Sequence, residues 1–133
     1  MYVFVYGTLT DPERVEEVLE SGTATFAGDA TLEGLHRVDG EYPTLAPGGR
    51  VEGRLLAVDG EALRHLDRYE GVDAGLYVRV TVPFTDREGT TEVYVGDPDR
   101  LGITGVDWPA GSKFERQVRR YLEETTARLV RDA

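Results

Sequence analysis

The sequence has no cysteine, only one lysine and no long hydrophobic run. The missing cysteine excludes disulfide bonds, a thiolate nucleophile and cysteine-ligated metal sites. No segment approaches the roughly 18 consecutive apolar residues of a membrane-spanning helix. The chain enters an apolar segment at once, without a basic region before it, so we expect no signal peptide and a cytoplasmic protein.

Basic residues are outnumbered, since 25 aspartates and glutamates against 15 lysines and arginines give a formal net charge of −10. Such a surface repels phosphate backbones, so we expect no nucleic-acid partner. Lys113 is the only lysine among the 15 basic residues. A genome rich in arginine codons is one explanation, and adaptation to a salty cytosol, as in halophilic proteins, is the other. We favour salt adaptation because the acidic excess and the lysine deficit occur together.

The length of 133 residues predicts one domain spanning 1–133. Apolar and β-branched patterns predict extended segments or strands at residues 2–6, 23–37, 51–58, 77–84 and 91–95, with a turn at 47–49. The strands do not alternate regularly with helices, which disfavours a doubly wound parallel fold. We therefore predict an α+β fold: a small mixed sheet, curled into a barrel, with two or three peripheral helices.

Three helices are expected around this sheet. Asp11 and Asp59 are predicted to cap the first two, and residues 61–69 form the second. A capping box from Ser112 to Glu115 is expected to open the third, C-terminal helix. Its inward face would carry Phe114, Val118, Tyr121, Leu122 and Leu129. Residues 96–111 are predicted to form a long loop, pinned to the body by Trp108.

A short segment, Tyr6-Gly7-Thr8-Leu9, closes the first strand. Gly7 lets the backbone turn and approach a ligand closely. The N–H groups that follow would lie between a strand end and a helix start, where an anion-binding concavity can form. The alternative is an ordinary strand-to-helix turn in which the glycine has only a steric role.

A second candidate is Glu70, at the end of the short helix just before Gly71. The C-terminus of a helix carries partial negative charge, so a glutamate there should have a raised pKa, which suits a general base. Asp67, one turn earlier, would add to that effect if ionised. The alternative is a solvated surface acid in a protein with many carboxylates.

Other polar and aromatic residues have simpler interpretations. His36 and His65 form no metal-ligand pattern, so we expect neither a metal nor a cofactor, and we place His65 at the surface or a boundary. Arg79 is interpreted as a structural ion-pair partner. Three tyrosines are taken either as core aromatics with an exposed hydroxyl or as pocket residues: Tyr42, Tyr77 and Tyr94.

Six short motifs in order give these candidates a context. They are Tyr6 to Leu9, Tyr42-Pro43, Val51-Glu52-Gly53, Leu66-Asp67-Arg68-Tyr69-Glu70-Gly71, Tyr77-Val78-Arg79 and Val93-Tyr94-Val95. Their types, order and spacing resemble the gamma-glutamylcyclotransferase-like superfamily, in its AIG2-like and gamma-glutamylamine cyclotransferase branch. The resemblance covers about residues 1–95 and is loose beyond Gly96.

The resemblance implies that Glu70 is the catalytic acid–base and that Tyr6, Gly7, Thr8 and Leu9 bind the glutamyl part of a small-molecule substrate. The implied reaction forms 5-oxoproline from a gamma-glutamyl amide or peptide without a cofactor. One alternative is a non-catalytic small-metabolite-binding domain with the same pocket. Another is an enzyme acting on a different small amide. The less regular residues 96–111 are expected to recognise the leaving amine.

Overall fold

The computed structural model describes residues 1–19, 21–111, 113–125 and 127–131. Its strands are β1 (Tyr2–Val5), β2 (Ala24–Val38), β3 (Thr44–Val58), β4 (Tyr77–Pro83), β5 (Thr90–Gly96) and β6 (Arg128–Arg131). Its helices are α1 (Pro12–Val18), α2 (Gly60–Tyr69), α3 (Pro98–Leu101) and α4 (Phe114–Glu124), with a 3₁₀ turn at Thr8–Thr10. None of the helices in these residues is long and apolar enough to cross a membrane.

The strands form one mixed sheet in the order β4-β5-β1-β3-β2-β6. Only the β1–β5 pair is parallel, and the other neighbouring strands of this sheet are antiparallel. The sheet curls until its two edges meet, where Phe84 forms a bridge to Leu129 and the Thr85 N–H donates to the Leu129 carbonyl at 3.1 Å. The predicted α+β fold with a curled, barrel-like sheet is therefore confirmed.

Both faces of β1 are buried, which explains its uninterrupted apolar sequence. Phe4 points into the curl of the sheet, where it packs with residues of β2 to β5 and with Val118 of α4. Val3 and Val5 point to the opposite face and pack against α1 and α2. Fully burying such a side chain stabilises the fold by about 1.5–3 kcal/mol. The central strand thus fixes the position at which the Tyr6–Leu9 segment emerges.

The predicted caps of the first two helices are confirmed. The Asp11 carboxylate accepts from the Glu13 N–H at 3.0 Å, and the Asp59 carboxylate accepts from the Ala62 N–H at 2.8 Å. These bonds satisfy donors that the first turn of a helix leaves without a partner. Backbone N–H groups that donate to the Asp59 carboxylate stabilise its charged form and hold its pKa below the usual value.

The turn predicted at residues 47–49 is wrong, because β3 runs through it. Gly48 and Gly49 have φ angles of +95° and +74°, and the register between β2 and β3 shifts beside them. This is a β-bulge, which glycine permits because it lacks a Cβ. The two long strands therefore pair over almost their whole length, and the predicted short segments are one element.

The C-terminal prediction is partly wrong. Helix α4 begins one residue later than expected, with Lys113 at the cap position and no side-chain cap bond, while Ser112 lies outside the described residues. Leu129 is not on the helix but in β6, which pairs with β2. Residues 96–111 contain the short helix α3 as well as loop. Trp108 packs against Phe114 and Tyr121, as its predicted anchoring role requires.

Candidate active site

A cavity of about 620 Å³ opens where the end of β1 passes the end of α2. Both predicted segments line it, since the Tyr6–Leu9 segment and Glu70 are among the residues that surround the cavity. Its volume lies in the range of small-molecule sites. Other lining residues include Arg14, Glu41, Tyr42, Pro43, Tyr69, Leu76, Tyr77, Tyr94, Arg100 and Leu101.

The Tyr6–Leu9 segment is held so that its carbonyl groups are already occupied. The Tyr6 carbonyl accepts from Arg37 at 2.7 Å, the Gly7 carbonyl from Thr10, and the Thr8 carbonyl from the Asp11 N–H. The N–H groups of Thr8 and Leu9 start the 3₁₀ turn, and among the described residues they have no backbone acceptor. Within the part of the chain that the structure describes, these two donors therefore remain available to a ligand.

Gly7 is needed here for a close approach. A Cβ at this position would lie 3.2 Å from the Cγ of Pro43, on the facing wall of the cavity. Pro43 cannot easily withdraw, because its carbonyl accepts a 2.7 Å hydrogen bond from the Tyr77 hydroxyl. The glycine therefore lets the turn and the segment before β3 pack together around the cavity.

Glu70 occupies the C-terminal cap of α2, where its N–H still donates to the Leu66 carbonyl at 2.9 Å. Gly71 follows with a φ of +68°, a conformation that glycine adopts readily and that redirects the chain immediately after the acid. Burial raises the pKa of Glu70 to about 7. The predicted direction is confirmed, and the cause is removal of the carboxylate from water, with no contribution from Asp67.

Asp67 is bound to side chains of two neighbouring strands. Its carboxylate accepts a 2.6 Å hydrogen bond from the Tyr94 hydroxyl and lies 3.3 Å from the Arg79 guanidinium. Arg79 also lies 3.6 Å from Glu92, so its predicted ion-pair role is confirmed. The expectation that Asp67 raises the pKa of Glu70 is wrong, because this network fixes the aspartate on strands β4 and β5.

Three buried tyrosines line the cavity near Glu70. Tyr6 donates to the Tyr94 carbonyl at 2.5 Å, while Tyr94 and Tyr77 donate to Asp67 and to Pro43 as described. Burial raises the pKa of all three phenols above the ordinary value, and the next contribution at Tyr94 comes from Asp67, with a smaller one from Glu70. They are therefore neutral, fully occupied donors that shape the cavity. Tyr42, in contrast, is 58% exposed at the mouth and is not a core aromatic.

Sequence reasoning missed several charged lining residues. Arg14, Glu41 and Arg100 reach the cavity from three separate segments, and nothing in their local sequence distinguishes them from surface charges.

His36 lies away from this cavity and is exposed, with its ring bonded to the Gly48 carbonyl. His65, at an intermediate position as predicted, contacts Ser21 and Arg68. The described residues contain no group of three or more side chains that could hold a metal ion.

Similarity to known proteins agrees with this geometry. The chain is 32% identical over 114 residues to AIG2-like protein A of Arabidopsis thaliana, an alignment that covers 75% of the chain and 66% of the relative. A second curated Arabidopsis relative is 36% identical over 88 residues, which is 47% of its length. The chain thus spans only about half to two thirds of these relatives.

Solved structures share the fold. An AIG2-like protein from Mus musculus superimposes with a TM-score of 0.61 at 26% identity, covering 80% of this chain and 84% of the other. A gamma-glutamyl cyclotransferase superimposes with a TM-score of 0.60 over 92% and 98% of the two chains, and at 18% identity it speaks for the fold alone. The family described as "Gamma-glutamyl cyclotransferase, AIG2-like" matches residues 3–110. The chain therefore belongs to the AIG2-like gamma-glutamyl cyclotransferase family.

Proposed function

We propose that this protein is a gamma-glutamyl cyclotransferase that converts a gamma-glutamyl amide or peptide into 5-oxoproline and a free amine. One observation carries the proposal: a half-buried glutamate, with its pKa raised to about 7, shares one cavity with a turn that presents free backbone N–H groups. An acid–base group works best when its pKa is near the operating pH. Glu70 meets that condition.

The proposed reaction is intramolecular. Glu70 takes a proton from the alpha-ammonium group, and the freed nitrogen attacks the gamma-carbonyl carbon. A carbon–nitrogen bond closes the five-membered lactam, and the bond between that carbon and the leaving nitrogen breaks. Glu70 returns this proton to the leaving nitrogen as the bond breaks. It then takes the second proton from the ring nitrogen and passes it to the released amine, which departs as an ammonium ion, so protons and electrons balance. Holding the substrate folded supplies much of the acceleration, because both reacting groups belong to one molecule.

The Tyr6–Leu9 segment has the role of positioning the glutamyl group. The free N–H groups of Thr8 and Leu9 suit the alpha-carboxylate, or the oxyanion that develops on the gamma-carbonyl. The carbonyl groups of Tyr6, Gly7 and Thr8 are already bonded within the protein, which holds the neighbouring donors in place. A substrate bound there would share the cavity with Glu70, which also lines it.

A non-catalytic binding domain explains these features less well. A protein that only binds an anionic glutamyl group gains nothing from placing a carboxylate in the same cavity. Keeping Glu70 half-buried also costs stability once it ionises, which is a cost that catalysis explains and simple binding does not.

A direct test is release of 5-oxoproline from a panel of gamma-glutamyl amides, gamma-glutamyl dipeptides and glutathione, measured at low and at molar salt. We expect release from at least one substrate class, with the free amine produced in equal amount. Binding of these compounds with no 5-oxoproline under either condition would support the binding-domain alternative.

A further inference from the structure

The exposed hydrophobic side chains of this protein are concentrated at one place. Among the described residues, four large hydrophobic side chains are exposed: Met1, Tyr42, Tyr69 and Leu76. The last three line the mouth of the Glu70 cavity. They belong to three segments, before β3, at the end of α2 and before β4, so folding and not sequence adjacency brings them together. We call Tyr42, Tyr69 and Leu76 the apolar rim.

The rim is held in place although it is exposed. The Leu76 N–H donates to the Gly71 carbonyl at 3.1 Å, and its carbonyl accepts from the Asp97 N–H at 2.9 Å. The Tyr69 hydroxyl is 2.8 Å from the Thr8 hydroxyl, which leaves its ring as the surface offered to a ligand. Exposed apolar groups fixed beside a cavity are typical of a ligand-binding surface.

The rim and the interior differ in chemistry. Inside, Glu70 and the Tyr6–Leu9 segment match the polar atoms of a glutamyl group, whereas the rim offers two aromatic rings and one aliphatic side chain. The part of the substrate that extends outward from the gamma-carbonyl is the leaving group. A leaving group with apolar surface would cover the rim and remove it from water.

Resting on the function proposed above, we propose that the leaving group carries an aromatic or aliphatic body that packs against the apolar rim. The preferred substrates are then gamma-glutamyl derivatives of apolar amino acids or amines. The charges of the cavity lining favour an apolar leaving group over a cationic one. Besides Glu70, the lining carries two arginines, Arg14 and Arg100, and only one further acid, Glu41.

The test compares four gamma-glutamyl dipeptides that differ only in the leaving amino acid: phenylalanine, norleucine, lysine and alanine. Norleucine and lysine have chains of similar length that end in a methyl or an ammonium group. We expect kcat/KM for the phenylalanine and norleucine peptides to exceed that of the alanine peptide by about tenfold or more. The lysine peptide should fall below the norleucine peptide.

Variants assign the preference to the rim. Leu76→Ser and Tyr42→Ser should each lower kcat/KM more for the phenylalanine peptide than for the alanine peptide, so that the phenylalanine-to-alanine ratio falls several-fold. Both side chains are exposed, so neither change should unfold the protein. Ile103→Ala is the matched control, because this aliphatic side chain is close to Gly40 and is not among the cavity-lining residues. Its ratio should equal that of the wild type.

The outcomes are distinguishable. Equal kcat/KM for the phenylalanine and alanine peptides, or a preference that survives both rim variants, would overturn this inference and leave the proposed function intact. No 5-oxoproline from any of the four peptides would overturn this inference, and the function proposed above would fall with it only if the wider panel of gamma-glutamyl compounds also released none. A dimer in sedimentation velocity that Leu76→Ser dissociates would show that a second copy covers the rim, and it would also overturn the inference.

Discussion

The hydroxyl groups of Thr8 and Tyr69 lie 2.8 Å apart and join the turn after β1 to the end of α2. The contact spans 61 positions of sequence and connects the two segments that the sequence selects as functional. It sits at the cavity wall, one residue from Glu70 and one from Gly7. The hydrogen bond therefore links the turn after β1 to the helix end that carries the acid.

Breaking this bond should weaken substrate binding more than folding. Thr8→Val and Tyr69→Phe keep the side-chain shapes, and a double-mutant cycle should give a coupling of about 1 kcal/mol or less in urea unfolding, since the bond is exposed. KM should rise several-fold in each variant. The control is Thr81→Val, which removes an exposed 2.9 Å bond to Glu92 on the sheet and should leave KM unchanged. Additive effects on KM would contradict the coupling.

Enlarging Gly7 should damage the site through Pro43. In Gly7→Ala the new methyl group meets the proline ring at 3.2 Å, and either wall must move. We expect a KM increase of tenfold or so and a stability loss of about 1–3 kcal/mol, the usual range for overpacking. Gly60→Ala is the matched control, because the nearest atoms there are 3.9 Å away and the position is the first of α2. Thermal and urea unfolding should show it neutral or slightly stabilised.

The buried carboxyl should make stability depend on pH. The pKa of Glu70 is raised from 4.5 to about 7 in the folded protein, so its contribution is most favourable below pH 4.5 and is lost as pH rises through about 7. The full loss is about 3 kcal/mol, since each pKa unit corresponds to about 1.4 kcal/mol.

Comparison with Glu70→Gln isolates this effect, because the other carboxylates contribute equally to both proteins. The free energy of unfolding of Glu70→Gln minus that of the wild type should increase by up to about 3 kcal/mol between pH 4.5 and about pH 8. Urea unfolding at several pH values measures it. A difference that stays constant over this range would show that Glu70 is well solvated.

The sequence predicts the local features of this protein well, because they depend on nearby residues. The caps at Asp11 and Asp59, the buried strand at residues 2–6 and the fold class all follow from short patterns and motif order. Leu129 was misplaced because its apolar spacing continues that of α4, while its actual partner, β2, is remote in sequence. Strand pairing of that kind leaves no local signal.

The electrostatics of the site depend on the same long-range packing. The raised pKa of Glu70 was predicted from its position at a helix end, but burial by tertiary neighbours is the cause. Asp67 was expected to contribute, yet Tyr94 and Arg79, from two other strands, hold it. Likewise, no sequence pattern predicts that Arg14 and Arg100 line the same cavity.

The acidic, lysine-poor composition predicts a response to salt. With a net charge of −10, self-repulsion should destabilise the compact state at low ionic strength. Molar salt shortens the Debye length to roughly 3 Å, so the melting temperature should climb well above its value at about 0.15 M sodium chloride. A kosmotropic salt at matched ionic strength separates screening from salting-out.

Charge removal should flatten that response. Glu16→Gln with Glu123→Gln removes two exposed charges, whereas Glu124 pairs with Arg120 at 3.0 Å and its loss would also remove an attraction. The double variant should show a smaller rise of melting temperature with sodium chloride. A wild-type melting temperature that is flat up to about 2 M would favour genome composition as the reason for the missing lysines.

The central claim is that Glu70 moves the proton in 5-oxoproline formation, and the rate of 5-oxoproline release by Glu70→Gln tests it most directly. Glu41→Gln is the matched control, since it removes another carboxyl from the same cavity. We expect Glu70→Gln to lose about 10²- to 10⁴-fold in kcat with substrate affinity largely kept. Glu41→Gln should stay near the wild-type kcat, and wild-type kcat/KM should fall below a pH of about 7. A Glu70→Gln protein that releases 5-oxoproline at the wild-type rate would contradict the assignment.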